Sequence, residues 1–559
     1  MKLFCSVCLC VAIAMVALGC ASVGTNPENI YHPLNYTEAD AVNTELQRIE
    51  SLLGENSIEA LWRSVLLKNS VESSIKESVE TSPIADKVSE IDDMQKKCVD
   101  KAVSDFKAHI EKKEYVNALS IMQSFEAIDA SYVLQLGIEK AELEKLAIEK
   151  LENENTVSDN FKLSSAVDGT VTVWVDRGIA IQGGMGYADR VIGSGFFISG
   201  DGYLITNHHV IADLVDPKSQ KYSKLFVKLA SDNETRIPAK VIGYDSLLDL
   251  ALLKVEIDSP FVFSLGSSED LDIGDTVFAI GSPVGLERTL TSGSISAKDR
   301  KLSSVGNVFQ IDTAVNPGNS GGPLIDKKGN VQAIVFAGML QYEGLNFAIP
   351  VEYLKAELPI LANGGERKHS WIGAFGKPKK DMGKNIGIEV LYVMPGGSAS
   401  RAGLKEGDII TAVNGSEVKN NDDLFNIFLS LLPNTVVTIT TSDLDGNTKD
   451  LLVYLNERPK APGYEVYKRD VVANSFYPIF GMKLETLSGS KKYTIGELVN
   501  GGIADESGFT DHDPVEIGKV IFNDEKTAIA ATLYTKKKKS GYIDVAIGLT
   551  AQLDNQYYF

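Results

Sequence analysis

The stretch VNPGNSGGPL, residues 315–324, places one serine, Ser320, among three glycines and two prolines. Glycine allows a backbone to adopt strained turns and allows another molecule to approach it closely. The stretch could therefore be a bare structural turn, or a place where a reacting carbonyl group lies against backbone N–H groups. The rest of the sequence decides between these two interpretations.

A serine hydroxyl is a weak nucleophile at neutral pH, so it needs a base, and the base needs an orienting partner. His208 and His209 follow an apolar run in GYLITNHHVIADL, and Asp249 opens an apolar run in YDSLLDLALLKV. A carboxylate at that position needs a partner because burying it alone is costly. The other four histidines lie in helical, linker or loop contexts and are predicted to be solvated: His32, His109, His369 and His512.

The candidate catalytic residues therefore occur in the chain order His209, Asp249, Ser320. Among the known triad orders, histidine before aspartate before serine is typical of the chymotrypsin-like double β-barrel. In that arrangement backbone N–H groups of the serine loop converge on a developing oxyanion, with Gly318 and Ser320 as the donors. The predicted oxyanion segment is Gly318, Asn319 and Ser320.

A chain of 559 residues predicts three to five domains. Residues 20–160 have the composition of helices, and one stripe places Tyr115, Ala118, Leu119, Met122 and Phe125 on a single helical face. Residues 161–362 contain short apolar runs broken by glycine turns, which predicts a β-barrel or sandwich domain. Two related segments of mixed texture follow at 371–457 and 464–559, and the second copy is degenerate.

Residues 1–19 have the charge and apolar pattern of a secretory signal peptide. They end in ALG before Cys20, which resembles the lipobox of bacterial lipoproteins. The resemblance implies lipidation of Cys20 and attachment to a bacterial envelope membrane, facing the periplasm or the exterior; ordinary signal cleavage is the alternative. Of the remaining cysteines only Cys98 would stay in the mature chain, which excludes an intramolecular disulfide framework. The net charge of −20 argues against general nucleic-acid binding.

Five segments in the same order resemble the HtrA/DegP-like (Do) family of envelope serine proteases: GSGFFISGDGYLITNHHV, DSLLDLALLKV, AIGSPVGLERTLTSGSISA, DTAVNPGNSGGPL and GLNFAIP. The resemblance implies that His209, Asp249 and Ser320 form the triad. It also implies a multidomain fold class, with a helical N-terminal region, a chymotrypsin-like double β-barrel protease and two C-terminal PDZ-like α+β domains.

The same resemblance implies binding residues and partners. SWIGAFG resembles the family's carboxylate-binding loop, which makes Trp371, Ile372, Gly373 and Ala374 candidates for binding peptide C-termini. The pocket for the residue before the scissile bond would have Ala314 as its floor, and its wall would come from residues 333–338 through Ile334, Phe336 and Gly338. Such an apolar pocket predicts cleavage after small or medium aliphatic residues in unfolded polypeptides. No metal or cofactor is required, and the family's homotrimeric assembly is a further expectation.

Two other functions remain open from the sequence. One is a chaperone or adaptor whose PDZ domains bind peptides while the protease domain is latent or inactive. The other is a structural envelope lipoprotein whose helical N-terminal region binds a partner. The helical region departs from the usual domain plan of the family. Because trimer contacts in the family normally lie near the start of the protease domain, this region puts the expected trimer in doubt.

Overall fold

The computed structural model describes residues 36, 38–77, 84–148, 162–216, 223–232, 234–282, 289–301, 306–338, 345–443, 446–486, 492–538 and 542–559. The predicted signal peptide and the predicted lipidation site, Cys20, lie outside the described residues. Within these ranges no helix has both the length and the apolar character that crossing a membrane requires.

The N-terminal region folds into helices around one apolar core. They are α1 (Ala39–Leu52), α2 (Ser57–Glu77), α3 (Lys87–Glu111), α4 (Tyr115–Ile128) and α5 (Lys140–Ile148), with a 3-10 turn at Ala130–Gln135. The predicted stripe is confirmed, because Ala118, Met122 and Phe125 are fully buried and Tyr115 and Leu119 pack against the same core. Cys98 is also buried there, and burial raises the pKa of its thiol to about 12, which makes it unreactive.

The first β-barrel begins after α6 (Leu163–Asp168). Its strands are β1 (Thr170–Gln182), β2 (Met185–Phe197), β3 (Tyr203–Thr206), β4 (Lys224–Lys228), β5 (Ile237–Asp245) and β6 (Leu250–Val255), with α7 (His208–Val215) between β3 and β4. The strands pair in the order β5-β4-β1-β2-β3-β6, and β5 also pairs with β6, which closes the barrel. The barrel interior is filled mainly by buried valines and leucines, as the alternating pattern predicts.

The second barrel is closed by β7 (Thr276–Gly281), β8 (Thr289–Lys301), β9 (Asn307–Ile311), β10 (Pro323–Ile325), β11 (Val331–Gly338) and β12 (Asn346–Pro350). Helix α8 (Val351–Asn363) follows it, and a short 3-10 turn, Ser268–Asp270, precedes it. Phe196, Ile280, Ile334 and Leu354 belong to an apolar layer between the two barrels and α8. The predicted chymotrypsin-like double barrel is therefore confirmed.

The first C-terminal domain is joined to the protease domain by β13 (Gly365–Glu366), which pairs in parallel with β5. Its elements are β14 (Ser370–Trp371), β15 (Ala374–Asp381), β16 (Lys384–Val393), α9 (Ser398–Ala402), β17 (Ile409–Val413), β18 (Ser416–Glu417), α10 (Asn421–Leu429), β19 (Val436–Ser442), β20 (Thr448–Tyr454) and β21 (Asn456–Glu457). The main sheet has the order β15-β16-β17-β19-β20, so β15 is its edge strand.

The second C-terminal domain begins with α11 (Pro462–Arg469) and α12 (Val472–Phe480). Its sheet is an antiparallel meander of β22 (Met482–Thr486), β23 (Lys492–Leu498), β24 (Pro514–Phe522), β25 (Ala528–Lys538) and β26 (Tyr542–Gln552), with α13 (Ile503–Glu506) between β23 and β24. Helix α11 begins at Pro462, two residues before the predicted start of the second segment at 464.

The helical region and the first C-terminal domain share one apolar core. Val436 and Tyr454 belong to the same buried cluster as the helices. Trp62 stacks on Tyr454, with 5.5 Å between ring centroids, and its indole N–H donates to the carbonyl of Leu452 at 2.8 Å. Ser124 Oγ accepts a hydrogen bond from the N–H of Val436 at 3.0 Å. This interface was not predicted from the sequence.

Candidate active site

Asp249 holds His209 through two hydrogen bonds. Its Oδ1 accepts from the backbone N–H of His209 at 2.8 Å, and its Oδ2 lies 2.7 Å from His209 Nδ1. An ionised carboxylate can only accept, so Nδ1 carries the proton and Nε2 keeps a lone pair. Asp249 reaches this position from the turn between β5 and β6, where its φ is +56° and Asn207 Nδ2 donates to its carbonyl at 2.8 Å.

The neighbouring histidine faces a different environment. His208 stacks on Tyr244 with 5.2 Å between ring centroids. Burial lowers the pKa of His208 and so favours its neutral form. His209, by contrast, is exposed at the surface of the site, which agrees with its predicted role as the base.

The serine loop is anchored to the first barrel by its own backbone. Ser194 N–H donates to Ser320 O at 2.7 Å, and Ser194 Oγ donates to Gly318 O at 2.6 Å. Gly321 has a φ of +86°, and a Cβ added there would lie only 2.3 Å from Ser194 O. Glycine is therefore required beneath the serine both for conformation and for space.

The amides of the serine loop differ in what they bind. Among the described residues, the N–H groups of Gly318 and Ser320 have no hydrogen-bond acceptor, so both are available to an oxyanion. Asn319 N–H donates to Asn316 O at 3.0 Å, and the Asn319 side chain is buried against Gly281. The prediction that Asn319 takes part in the oxyanion hole is therefore wrong, because its amide already closes a turn.

The serine and the histidine are not hydrogen-bonded in this structure. Ser320 Oγ donates to the carbonyl of Phe336 at 3.3 Å, and within the described part of the chain it makes no hydrogen bond to His209. Rotation of the serine side chain about its Cα–Cβ bond is therefore needed before Nε2 can take its proton. The predicted base and its predicted orienting carboxylate are hydrogen-bonded to each other, whereas the predicted nucleophile is hydrogen-bonded elsewhere.

The predicted pocket residues occupy different positions. Ala314 is exposed and Phe336 is half-buried, so both can contact a substrate side chain. Ile334 is fully buried in the layer between the barrels, and its prediction as a pocket residue is wrong because it has no surface to offer. Gly338 ends β11, where it pairs with Asn346.

A buried polar cluster next to the active site was missed. His369 Nε2 lies 2.9 Å from both carboxylate oxygens of Asp245, and Arg367 binds the carboxylate of Glu357, with 3.0 Å from its Nε to Glu357 Oε2. His369 was expected to be solvated, but it is packed inside this cluster. A charged residue at the buried end of β5, Asp245, was the available signal, because such a carboxylate needs a partner.

The protonation of this cluster follows from burial and pairing. Burial lowers the pKa of His369 against the attraction of Asp245, so His369 donates as a neutral ring. Burial alone would raise the pKa of Asp245, but His369 and the N–H groups of Leu247 and Leu248 outweigh it and hold that pKa below its ordinary value. The carboxylate of Asp245 is four residues from Asp249, so the cluster joins the catalytic turn to the segment that leads into the first C-terminal domain.

The predicted carboxylate-binding loop lies at the start of β15. Trp371 packs in an apolar cluster, while the carbonyls of Ile372 and Gly373 accept from Ala399 N and Met394 N. Gly373 has a φ of +82°, which suits a tight turn. The N–H and carbonyl of Ala374 face the groove between β15 and α10. Of the four predicted residues, Ala374 thus contacts the groove through its backbone, and Ile372 and Ala374 line it with side chains in the same buried cluster as Leu424 of α10.

Comparison with protein families agrees with this geometry. Residues 193–334 match the model of the trypsin-like peptidase domain, and residues 365–439 match that of the PDZ domain. The chain contains a trypsin-like peptidase domain and a PDZ domain. Residues 463–553 match the TP0546 family PDZ domain, and residues 40–147 match a domain of unknown function (DUF8517). We therefore call 371–457 the first PDZ domain and 464–559 the second.

Curated relatives are named probable periplasmic serine endoprotease DegP-like. That of Hahella chejuensis is 39% identical over 244 residues, which cover 42% of this chain and 50% of the relative. That of Chlamydia trachomatis is 33% identical over 294 residues, which cover 50% of this chain and 57% of the relative. The chain thus spans about half the length of the curated relatives it matches. The three candidate catalytic residues, His209, Asp249 and Ser320, lie within the region that the peptidase model covers.

Two solved structures match slightly more than half of the chain. The HtrA-type protease AlgW with decapeptide matches at 27% identity and a TM-score of 0.44, covering 53% of this chain and 98% of that one. The serine endoprotease from Yersinia pestis matches at 30% identity and a TM-score of 0.41, covering 55% of this chain and all of that one.

Proposed function

We propose that the protein is a serine endopeptidase of the bacterial cell envelope that cleaves unfolded or damaged polypeptides. The observation that carries the proposal is the pair of hydrogen bonds from Asp249 to His209, beside a serine loop whose Gly318 and Ser320 amides are free. An orienting carboxylate, a base with a free Nε2 and two oxyanion donors are the parts that acyl transfer needs.

The reaction follows from these parts. Ser320 Oγ turns from Phe336 O to His209 Nε2 and attacks the peptide carbonyl carbon, so that a C–O bond forms while the serine proton passes to Nε2. The carbonyl electron pair moves to the oxygen, which the amides of Gly318 and Ser320 bind. Collapse of this adduct breaks the C–N bond, and His209 gives its proton to the leaving amine. Water then attacks the acyl-enzyme by the same route and regenerates Ser320.

The finer parts of the proposal concern substrate and location. The accessible surfaces of Ala314 and Phe336 favour small or medium aliphatic residues before the scissile bond. The PDZ domains would bind peptide segments of the substrate or of a regulator. Cys20 would carry a lipid that anchors the mature chain to an envelope membrane, and the assembled enzyme would be a homotrimer. Incorporation of labelled palmitate, lost in Cys20→Ser, and native mass measurement test the last two points.

The test of the activity is digestion of reduced, unfolded casein by the chain from residue 21. Ser320→Ala should lower kcat by on the order of 10⁶, because the triad acts as a unit. Ser416→Ala is the matched control, since Ser416 is exposed in the first PDZ domain, away from the catalytic residues, and should cleave like the wild type. Persistent cleavage by purified Ser320→Ala would refute the assignment of the nucleophile.

A latent protease that acts as a PDZ-based binding protein is the second candidate. The hydrogen bond from Ser320 Oγ to Phe336 O favours it, because the resting serine is turned away from its base. If casein remains intact with the wild type as well, this function is preferred. Modification of Ser320 by an organophosphorus fluoridate would then report whether any added peptide switches the site on.

A further inference from the structure

The groove of the first PDZ domain is occupied by the chain itself. Phe559 N–H donates to Ala374 O at 3.0 Å, Ala374 N–H donates to Phe559 O at 2.9 Å, and Gly376 N–H donates to Tyr557 O at 3.1 Å. Phe375 and Tyr558 form the antiparallel bridge between these bonds. Residues 557–559 therefore add a strand to β15, the edge strand of the sheet, which is the geometry by which PDZ domains bind peptides.

The side chain of Phe559 is also buried in the groove. It is 5% exposed and belongs to the apolar core of the first PDZ domain, together with Ile372, Leu424 and Phe428. Asn421, the first residue of α10, spans the groove because its Nδ2 lies 3.4 Å from both Gly376 O and Gln556 O. Both walls of the groove thus contact the segment Gln556–Phe559.

The two tyrosines before Phe559 make separate contacts. Tyr558 is buried against Phe375, with 5.2 Å between ring centroids, and its hydroxyl donates to Pro478 O at 3.1 Å. Tyr557 lies beneath the ammonium group of Lys377, which is 5.0 Å from the ring centroid. The site therefore recognises aromatic side chains at three consecutive positions.

The second PDZ domain holds this segment in place. Strand β26 ends at Gln552, and Leu553 N–H donates to Thr527 O at 2.8 Å. Asp554 then pairs with Arg458 of the connection between the two PDZ domains at 2.6 Å, and Asn555 Oδ1 accepts from Tyr557 N–H at 2.9 Å. A segment tethered so closely has a high effective concentration at the groove and competes strongly with any free peptide.

We propose that Gln556–Phe559 is the resident ligand of the first PDZ domain, and that a polypeptide segment with two aromatic residues followed by phenylalanine binds by displacing it. The proposal rests on the proposed function only in taking the groove as a peptide site. It adds a preference of the groove for aromatic residues. It also adds autoinhibition, since another chain can bind in the groove only when Gln556–Phe559 leaves it.

The groove is also joined to the protease domain. Arg367 donates to Leu429 O and Leu431 O, at the end of α10, while it binds Glu357 of α8. Exchange of the occupant beside α10 therefore acts on a helix whose end is fixed to the protease domain through a buried guanidinium group. The serine in its resting position and the occupied groove belong to the same state of the molecule.

Binding of a fluorescent probe peptide, Asp-Asn-Gln-Tyr-Tyr-Phe, to the chain from residue 21 tests the proposal. We expect Phe559→Ala to bind the probe at least tenfold more tightly than the wild type, because binding to a site that is open only part of the time is weakened by that fraction. Gln552→Ala is the matched control, since Gln552 is exposed at the end of β26 and lies outside the segment Gln556–Phe559, and it should bind like the wild type. A probe ending in alanine should bind none of the three proteins.

Equal affinity of the wild type and Phe559→Ala for the probe would overturn the proposal, and so would absence of binding to both. Because the readout is binding, neither result depends on whether Ser320 cleaves casein, and the two failures are distinguishable.

A second measurement keeps Phe559 in place. Extending the antiparallel register of the Phe375–Tyr558 bridge by two residues brings Lys377 opposite Gln556, and Cys98 is buried. Mild oxidation of the Lys377→Cys, Gln556→Cys double variant should form an intramolecular disulfide that abolishes probe binding until a reductant is added. Failure of this disulfide to form in the folded protein would contradict residence of the segment in the groove.

Discussion

Replacing Asp249 by asparagine tests the catalytic geometry most sharply, because the structure fixes how the new amide must lie. Asp249 Oδ1 accepts from the backbone N–H of His209, so the asparagine oxygen has to take this position. The amide NH₂ then takes the position of Oδ2, 2.7 Å from His209 Nδ1. Since an NH₂ group can only donate, Nδ1 must become an acceptor, and the ring proton moves to Nε2.

The consequence is a base that cannot accept the serine proton. We expect kcat for casein or a peptide substrate to fall by on the order of 10⁴, which corresponds to about 5.5 kcal/mol at about 1.4 kcal/mol per factor of ten. KM should change little, because no substrate contact is removed. The fold should be kept, since asparagine tolerates the φ of +56° at this position.

The assay compares kcat, KM and thermal unfolding of the wild type and Asp249→Asn. Asp249→Ala serves as a comparison that removes the carboxylate without imposing the wrong tautomer, although it also strains the backbone at a positive φ. A loss of less than tenfold in kcat for Asp249→Asn, with an intact fold, would refute the role of Asp249 as the residue that orients His209.

Two further predictions concern stability. Gly321→Ala should lower the free energy of unfolding by more than the roughly 1–2 kcal/mol that a left-handed conformation costs a residue with a Cβ, because that Cβ would also lie 2.3 Å from Ser194 O. Gly274→Ala, at a φ of +96° with open space around it, isolates the conformational cost in denaturant unfolding; equal losses at both positions would contradict the steric argument. For His369, the lowered pKa of the folded state means that stability is fully present above the unfolded pKa and falls as the pH drops below about 6.5. His369→Gln keeps a donor to Asp245 and cannot titrate, so the slope of stability against pH just below pH 6.5, up to about 1.4 kcal/mol per pH unit, should decrease. His208, whose pKa is also lowered by burial, keeps part of the slope, and melting temperatures that fall identically in both proteins would exclude His369 as the titrating group.

Local patterns were sufficient to predict the barrels and to select the three residues that we propose as the triad. The turns at Asp201, between β2 and β3, and at Gly329, between β10 and β11, are marked by glycine-containing turn sequences. His209, Asp249 and Ser320 each occur in a recognisable short motif. The stripe on α4 was also correctly assigned to a core, because helical periodicity tells which face is buried.

The contacts between domains could not be predicted in this way. Periodicity identifies a buried face but not what covers it, so nothing in the sequence connects Trp62 to Tyr454 or His369 to Asp245. The sequence analysis gave Gln556–Phe559 no role, because aromatic residues that follow a strand usually pack in the core of their own domain. Asn319 was misassigned because the sequence does not tell which of three consecutive amides closes a turn.

The core shared by the helices and the first PDZ domain has a consequence for how this architecture can be recombined. Trp62 donates to a carbonyl of β20 and stacks on Tyr454, and Ser124 accepts from Val436 on β19. A PDZ domain from another protein would have a solvent-exposed surface at these positions. The apolar core of the helices would then lose the contacts that β19 and β20 provide. Residues 39–148 precede the protease domain in the sequence and the first PDZ domain follows it. We nevertheless expect these two parts to be inherited and exchanged together, because they share one core.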